Sequence, residues 1–480
     1  MSWHMTLEVD RSAVDSLTHQ VQQAIRSRIE NDLLPAGSRL PSTRQLAADL
    51  GISRSVAVEA YEQLTAEGFL LCRRGSGTLV ADQGAEKPAG AIRALTPARI
   101  RWDLRCKRGP VPDFPHAEWL GCYRTALAAA GESELGYVDP DGSPRLREVL
   151  ARYLARVRVA AATVESVTIT AGFAQGISLI SQVLQDRGLR QVGMEEPCSA
   201  AVRTFLQRGG LEPVPVPLTR AGLDMRRLRE SGVRAVVVSP AHQFPTGQTM
   251  SGEGRAALVE WAREVDGWIV EDDYDGDLWL DAASRTVALH ALDPERVIYG
   301  GTTSMTMAPG LRLGWLVVPE ALREEMAAVR RVRDLGVDTL QQCALAEFVT
   351  SGLFDRHLRR VRLRYRSRRE LFVSALHRHF PHAQLTGNAA GVHAQLLLPR
   401  WMDEADFVAA AARRGVQVDG GAHFWAHTAS PPASLILSYA GVSASGLGDA
   451  VTELGLAAQA MDRSRKWQVS PPTARVGRSA

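Results

Sequence analysis

A chain of 480 residues is too long for one ordinary domain and points to two or three. Its 45% hydrophobic content is that of a globular protein with a sizeable core, and a net charge of +3 is too close to neutral to name a nucleic-acid or membrane partner by itself. No stretch approaches about 18 uninterrupted apolar residues, and Met1–Asp10 lacks the apolar segment of a signal peptide. The cysteines Cys72, Cys106, Cys122, Cys198 and Cys343 are odd in number and lack metal-ligand spacing. A cytoplasmic protein with reduced thiols, no metal site and no membrane span is expected.

Residues 12–31 carry helical periodicity through Val14, Leu17, Val21 and Ile25, and Leu34-Pro35-Ala36-Gly37 ends that helix. Ser42 is placed to cap a second helix that stops at Leu50-Gly51, with Gly51 in a left-handed turn. Ser53 can cap a third helix, Arg54 to Glu67, with Val56, Ala60, Tyr61 and Leu64 inward and Arg54, Ser55, Val58 and Glu62 outward. Two β-prone runs around Arg73-Arg74-Gly75-Ser76-Gly77 read as a hairpin. Two helices joined by a short glycine turn form the helix-turn-helix pattern, and the hairpin adds a wing.

Arg39-Leu40-Pro41-Ser42-Thr43-Arg44, Leu50-Gly51-Ile52-Ser53-Arg54 and Ala66-Glu67-Gly68 resemble the GntR class of bacterial regulators. Residues 1–80 hold eight arginines against nine carboxylates, so the module has no basic excess. The resemblance implies double-stranded operator DNA as partner. Arg39, Ser42, Thr43, Arg44, Ser53, Arg54, Ser55 and Arg73 would face it, and Gly77 would let the wing tip approach the minor groove.

Residues 81–100 read as a linker, 101–462 as a large module, and the Ser-, Arg- and Pro-rich residues 463–480 as a disordered tail. Strand-like runs such as 166–170, 235–238 and 268–270 alternate with helical ones, which predicts a mostly parallel α/β sheet covered by helices. Leu135-Gly136-Tyr137-Val138-Asp139, Thr170-Ala171-Gly172-Phe173-Ala174-Gln175, His242-Gln243-Phe244-Pro245-Thr246-Gly247, Glu271-Asp272-Asp273-Tyr274-Asp275 and Thr302-Thr303-Ser304-Met305 follow in order, closed by Arg312.

These motifs resemble fold-type-I aminotransferases, whose cofactor is pyridoxal 5'-phosphate (PLP). Behind the DNA-binding module they make the chain resemble the MocR-type subgroup of GntR regulators over roughly residues 12–460. The implied architecture is an N-terminal winged helix-turn-helix plus a fold-type-I aminotransferase-like domain, with a large parallel-sheet subdomain and a small α/β C-terminal subdomain. By resemblance Tyr137 reaches a partner subunit's phosphate in a homodimer, and the N–H groups of Gly172, Phe173 and Ala174 cradle the phosphate with Thr302, Ser304 and Arg312. Asp272 would face the pyridine nitrogen and Tyr274 the ring hydroxyl.

Three positions depart from that pattern. Met305 stands where the family has the lysine that bonds covalently to PLP, and a thioether offers no such amine. Ser199 stands where the family places an aromatic ring that stacks on the cofactor, and Ile436 where catalytic members often hold an arginine for the substrate carboxylate. Of 56 basic residues only Lys87, Lys107 and Lys466 are lysines, so few groups could replace the missing amine. A pseudo-aminotransferase is expected, one that regulates transcription in response to a small-molecule effector. Its pocket holds PLP or a PLP–amine adduct non-covalently, or has been repurposed for another ligand with no cofactor, or Met305 is an engineered change. The alternative is an aminotransferase-type enzyme using Lys107 or a free amine. The arginine-rich run Arg356–Arg369 reads as a solvated helix face, His377, His379 and His382 as surface histidines, and Trp119 and 423–425 as core.

Overall fold

In a computed structural model, the structure describes residues 9–11, 15–30, 33–73, 77–81, 100–106, 113–137, 139–158, 161–281, 285–381, 384–428 and 430–462. They form two compact units, Met1–Thr96 and Pro97–Ala480. Among the described residues no helix is long and apolar enough to cross a membrane.

The first unit holds α1 (Leu17–Glu30), α2 (Thr43–Leu50) and α3 (Arg54–Ala66), followed by β1 (Leu70–Arg73) and β2 (Gly77–Val80). The first helix begins at Leu17 rather than Ser12, and Val14 lies outside the described residues. Ser42 accepts from Gln45 N and Ser53 from Val56 N, so each cap satisfies an N–H that its helix cannot. Gly51 takes φ 63°, the left-handed turn that lets α2 end and α3 begin within three residues. Val21, Ile25, Leu46, Ala57 and Leu64 form the core. Val56 is only half-buried and Ala57 takes the inward place, because a small residue there lets the helices approach closely. The hairpin is in register from Leu70↔Val80 to Arg73↔Gly77.

The second unit is built on an eight-stranded sheet. Its strands are β3 (Val167–Thr170), β4 (Gln191–Glu196), β5 (Glu212–Thr219), β6 (Gly222–Leu223), β7 (Ala235–Val238), β8 (Trp268–Asp273), β9 (Val297–Thr302) and β10 (Gly314–Val317). They lie in the order β3-β10-β9-β8-β7-β4-β5-β6. The run β9-β8-β7-β4-β5 is parallel, while β10 and β6 are antiparallel to their neighbours. Strands such as Ala235-Val236-Val237-Val238 are apolar throughout because helices cover both faces. A second sheet orders Gln384–Thr386, His393–Leu397, Ser434–Ser438 and Asp419–Gly420, and packs with Ala444–Asp462 to form the small subdomain.

Candidate functional site

On the first unit, Arg39, Ser42, Arg44, Ser53, Arg54, Ser55 and Gly77 are exposed and Thr43 is half-buried. Arg39, Arg44 and Arg54 make no ion pair among the described residues, whereas Arg26 is tied to Glu67 on another face. The missing basic excess is therefore a matter of placement. Gly77 has φ 84°, and a Cβ there would come 3.2 Å from Arg39 Nε, so the wing glycine and Arg39 lie side by side. The Arg73 side chain lies outside the described residues.

The second site collects at the carboxyl ends of the strands, where open α/β sheets bind ligands. Gly314 of β10 pairs with Thr302 on one side and Thr170 on the other, which brings three loops together across neighbouring strands. Gly172, following β3, takes φ 79° and opens α4 (Phe173–Asp186), leaving first-turn N–H groups unclaimed by the helix. A Cβ on Gly172 would stand 3.2 Å from the Arg312 guanidinium, which itself donates to Ala171 O at 2.6 Å. Arg312 adopts φ 50°, a strained conformation for a non-glycine residue that turns the chain at this loop. The Thr302 and Ser304 hydroxyls are 2.8 Å apart, and Ser304 N donates to Thr302 Oγ1. A cavity of about 300 Å³ opens beside this turn, lined by Gln175, Arg312, Asp338 and Gln341 among others. Guanidinium, hydroxyls and a helix N-terminus are the donor set of a phosphate.

The β8 strand shows why one of three consecutive acids serves the site. Side chains alternate along a strand. Glu271 accepts from Leu289 N and His290 N. Asp273 holds Arg158 through two bonds of 2.7 and 2.9 Å and accepts from Tyr299 Oη. Asp272, between them, goes to the opposite face, where it bears electrostatically on Glu195 and Tyr274. Burial is the main cause that pushes the Glu195 carboxyl up to about 8, with Asp272 adding to it against the bonds from Gln243 and Ser239 N. Tyr274 is buried and its hydroxyl meets His242 Nδ1 at 3.1 Å; burial, then Asp275, drives its pKa well above normal.

Where the cofactor's covalent partner would stand, Met305 packs on an apolar group of Phe244, Tyr274, Phe424 and Ile436, joined by Cys106. The Phe244 and Phe424 rings meet edge to face at 5.1 Å. Ile436 is fully buried in that group. Ser199 caps Ala200–Arg208 without a side-chain bond, and its neighbour Cys198 donates its N–H to Phe424 O. Tyr137 is 95% exposed. The phosphate end thus fits PLP, and at the end that would carry the covalent bond Met305 offers a thioether in place of an amine. Lys87, Lys107 and Lys466 all lie outside the described residues.

Sequence reasoning passed over a buried group, His242, Asp275 and His393. Its ligand atoms lie within 4.8 Å of one another, close enough to hold a metal ion where none was expected. His242 Nδ1 already meets Asp275 Oδ2 at 2.7 Å and Tyr274 at 3.1 Å, so the network fixes the tyrosine's orientation. Two of these residues sit in the quoted motifs, but His393 comes from the small-subdomain sheet, and no local spacing announces it. Of the other readings, Trp119 and Phe424 are core, Trp425 lines a cavity, and His382 lies outside the described residues. The run from Arg356 is less solvated than expected: Arg368 is buried and Arg362 covers the Trp279 ring.

The model of the bacterial regulatory proteins, gntR family, matches residues 17–80, and that of aminotransferase class I and II matches residues 111–454. The chain is 30% identical to the probable rhizopine catabolism regulatory protein MocR of Rhizobium meliloti, over 98% of this chain and 99% of that one. It is 32% identical to the HTH-type pyridoxine biosynthesis transcriptional regulator PdxR of Corynebacterium glutamicum, over 86% and 90%. Among solved structures, LysN, an alpha-aminoadipate aminotransferase from Thermus thermophilus, aligns with TM-score 0.68 at 26% identity, covering 78% of this chain and 96% of that one.

Proposed function

Since the chain belongs to the MocR-type subgroup of GntR-family transcription regulators, we propose that it is a DNA-binding regulator whose aminotransferase-like module senses a phosphorylated pyridine without bonding to it and performs no transamination. Met305 carries this reading. It places a thioether against Phe244, Tyr274, Phe424 and Ile436, beside a phosphate cup that keeps its guanidinium, its hydroxyls and its helix N-terminus. Bound PLP supplies an electron sink for amino-acid chemistry in this fold. In this chain Arg312, Thr302, Ser304 and the Gly172–Ala174 turn would hold the phosphate, and Asp272 would keep a ring nitrogen protonated. Tyr274, tethered by His242 and Asp275, would orient the ring, and the apolar wall would exclude water. The pyridoxine-biosynthesis naming of the Corynebacterium relative supports a ligand of this class.

The exposure of Tyr137, together with Leu135 at 63% and Val332 at 91%, favours a homodimer whose partner covers them. Two winged helices then read an operator of two half-sites, and ligand binding shifts the population between two dockings. The test is titration with PLP followed by borohydride reduction. Saturable binding that dialysis reverses, with no reduced adduct on the protein, is expected. A borohydride-fixed adduct would overturn non-covalent capture, and absence of binding would overturn the phosphorylated-pyridine reading.

A further inference from the structure

A second cavity, of about 200 Å³, lies apart from the phosphate cup. Its floor is Met194 of β4 with Pro213 and Pro215 of β5, and its walls are Glu196, Arg203 and Trp425. The Trp425 indole Nε1 is buried and has no hydrogen-bond partner among the described residues. A buried donor left so is unfavourable unless an acceptor arrives. Arg203 makes no ion pair among the described residues. Its guanidinium has only a 3.8 Å contact to Cys198 Sγ and a 3.4 Å bond to His423 O. Glu196 is 5% exposed; its Oε1 accepts from Ala426 N at 2.7 Å and His427 N at 3.0 Å, and it pairs with no cation among the described residues. Burial pushes the neighbouring Cys198 thiol up to about 12, so that wall is neutral.

A guanidinium and a carboxylate therefore line one cleft without neutralising each other, over an apolar floor and beside an unsatisfied donor. We propose that this cleft binds a small α-amino acid with an apolar side chain. Its carboxylate would take the donors of Trp425 Nε1 and Arg203, and its ammonium the Glu196 carboxylate. Its side chain would lie on Met194, Pro213 and Pro215. Neither charge alone gives this selectivity. A bare carboxylate meets Glu196 and a bare amine meets Arg203, so only the zwitterion satisfies both. The cleft also shares a wall with the cofactor pocket, because Cys198 N–H bonds Phe424 O and the Phe424 ring stands in the group around Met305.

The full-length protein is titrated by calorimetry with L-leucine, 4-methylpentanoate and 3-methylbutylamine. L-Leucine is expected to bind at least about tenfold more tightly than either analogue, and Arg203→Gln to weaken it by about tenfold or more. Trp425→Phe, which keeps the ring and removes the donor, is expected to weaken it less. Arg312→Gln, which alters the phosphate cup, is expected to leave it unchanged. Absence of heat with L-leucine overturns the proposal, as does equal binding of the three probes. Loss of binding in Arg312→Gln with none in Arg203→Gln would move the amino acid to the cofactor pocket and equally overturn it. A failure of the PLP titration leaves these outcomes unaffected, so the two readings fail separately.

Discussion

The two modules carry their family motifs differently. In the winged helix the residues that would meet DNA stand on the surface, and the core beneath them, Val21, Ile25, Leu46, Ala57 and Leu64, does nothing but hold them. In the aminotransferase-like module several residues that would meet the ligand, Gly172, Asp272, Tyr274 and Thr302, are buried, while Arg312 stands exposed at the mouth of the phosphate cup. Changing Met305 or Ile436 changes both packing and chemistry. A surface site can be altered without repacking the fold, whereas a buried one passes every loss to its neighbours. Here Arg39, Arg44 and Arg54 stand exposed and outside any ion pair among the described residues, and the second site keeps a donor set for an anion while Met305 packs against apolar side chains. On the function proposed above, that difference would separate a module that keeps its original chemistry from one that keeps the fold and part of the binding.

The sharpest way to break the comparison is to remove the surface site alone. Arg44→Ala with Arg54→Ala should lower operator affinity by about 2–6 kcal/mol, at about 1–3 per contact, and leave the thermal unfolding of both modules unchanged. Electrophoretic shift across a salt series reads it. Unchanged affinity would mean that α2 and α3 do not face DNA. Next in size, Leu64→Ala empties a fully buried site of the winged helix and should cost about 2–5 kcal/mol. Limited proteolysis should then cut the first module while PLP binding in the second persists. Parallel loss of PLP binding would show that the two modules unfold together.

Local chemistry made the first module legible. Serine caps at Ser42 and Ser53 and a left-handed Gly51 are decided within three or four residues, and a helical stripe within two turns. The misplacement of Val56 for Ala57 is a one-residue rotation, about 100° on a wheel, which only the partner helices determine. In the second module the loops were legible as motifs and their meeting only through the resemblance, and the contacts that tie them to the small subdomain were not legible. His242 and Asp275 are 33 residues apart in sequence, and His393 comes from a different sheet. The Phe424 ring, read as core in preference to pocket lining, is part of the wall beside Met305. Nothing in a run such as Glu195-Glu196 says that one acid is wholly buried beside Asp272 and the other holds a loop.

That buried acid gives a prediction confined to the second module. An unfolded Glu195 loses its proton near 4.5, whereas burial keeps the folded carboxyl protonated to about 8. Between those values the native state holds the extra proton, so stability from this group is present at low pH and lost as pH rises through the window. His290 acts in the opposite sense. Burial pushes it down to about 4, and stability is lost as pH falls from 6.5. Glu195→Gln keeps the shape and carries no titrating proton. The urea stability of the variant should therefore depend less steeply on pH than the parent's, by up to about 1.4 kcal/mol per pH unit between pH 5 and 8. Identical slopes would mean that Glu195 is ionised when folded.

The smallest effect tests whether the buried site has lost its ring contact or replaced it. Ser199→Tyr restores an aromatic side chain at the position from which the family stacks on the pyridine. Such a pair contributes about 1 kcal/mol, which is roughly fivefold in PLP affinity. The backbone there is already fixed, since Cys198 N–H donates to Phe424 O at 3.0 Å and Ser199 begins Ala200–Arg208. A new ring gains the contact only if the space above the pyridine is open. Phe424 and Phe244 meet edge to face 5.1 Å apart in the same apolar group as Met305. If one of those rings already covers the ligand, the tyrosine must displace it and affinity will hold or fall. Tighter binding would then mean that the second module merely lost a contact, and unchanged or weaker binding that its interior has repacked around a different one.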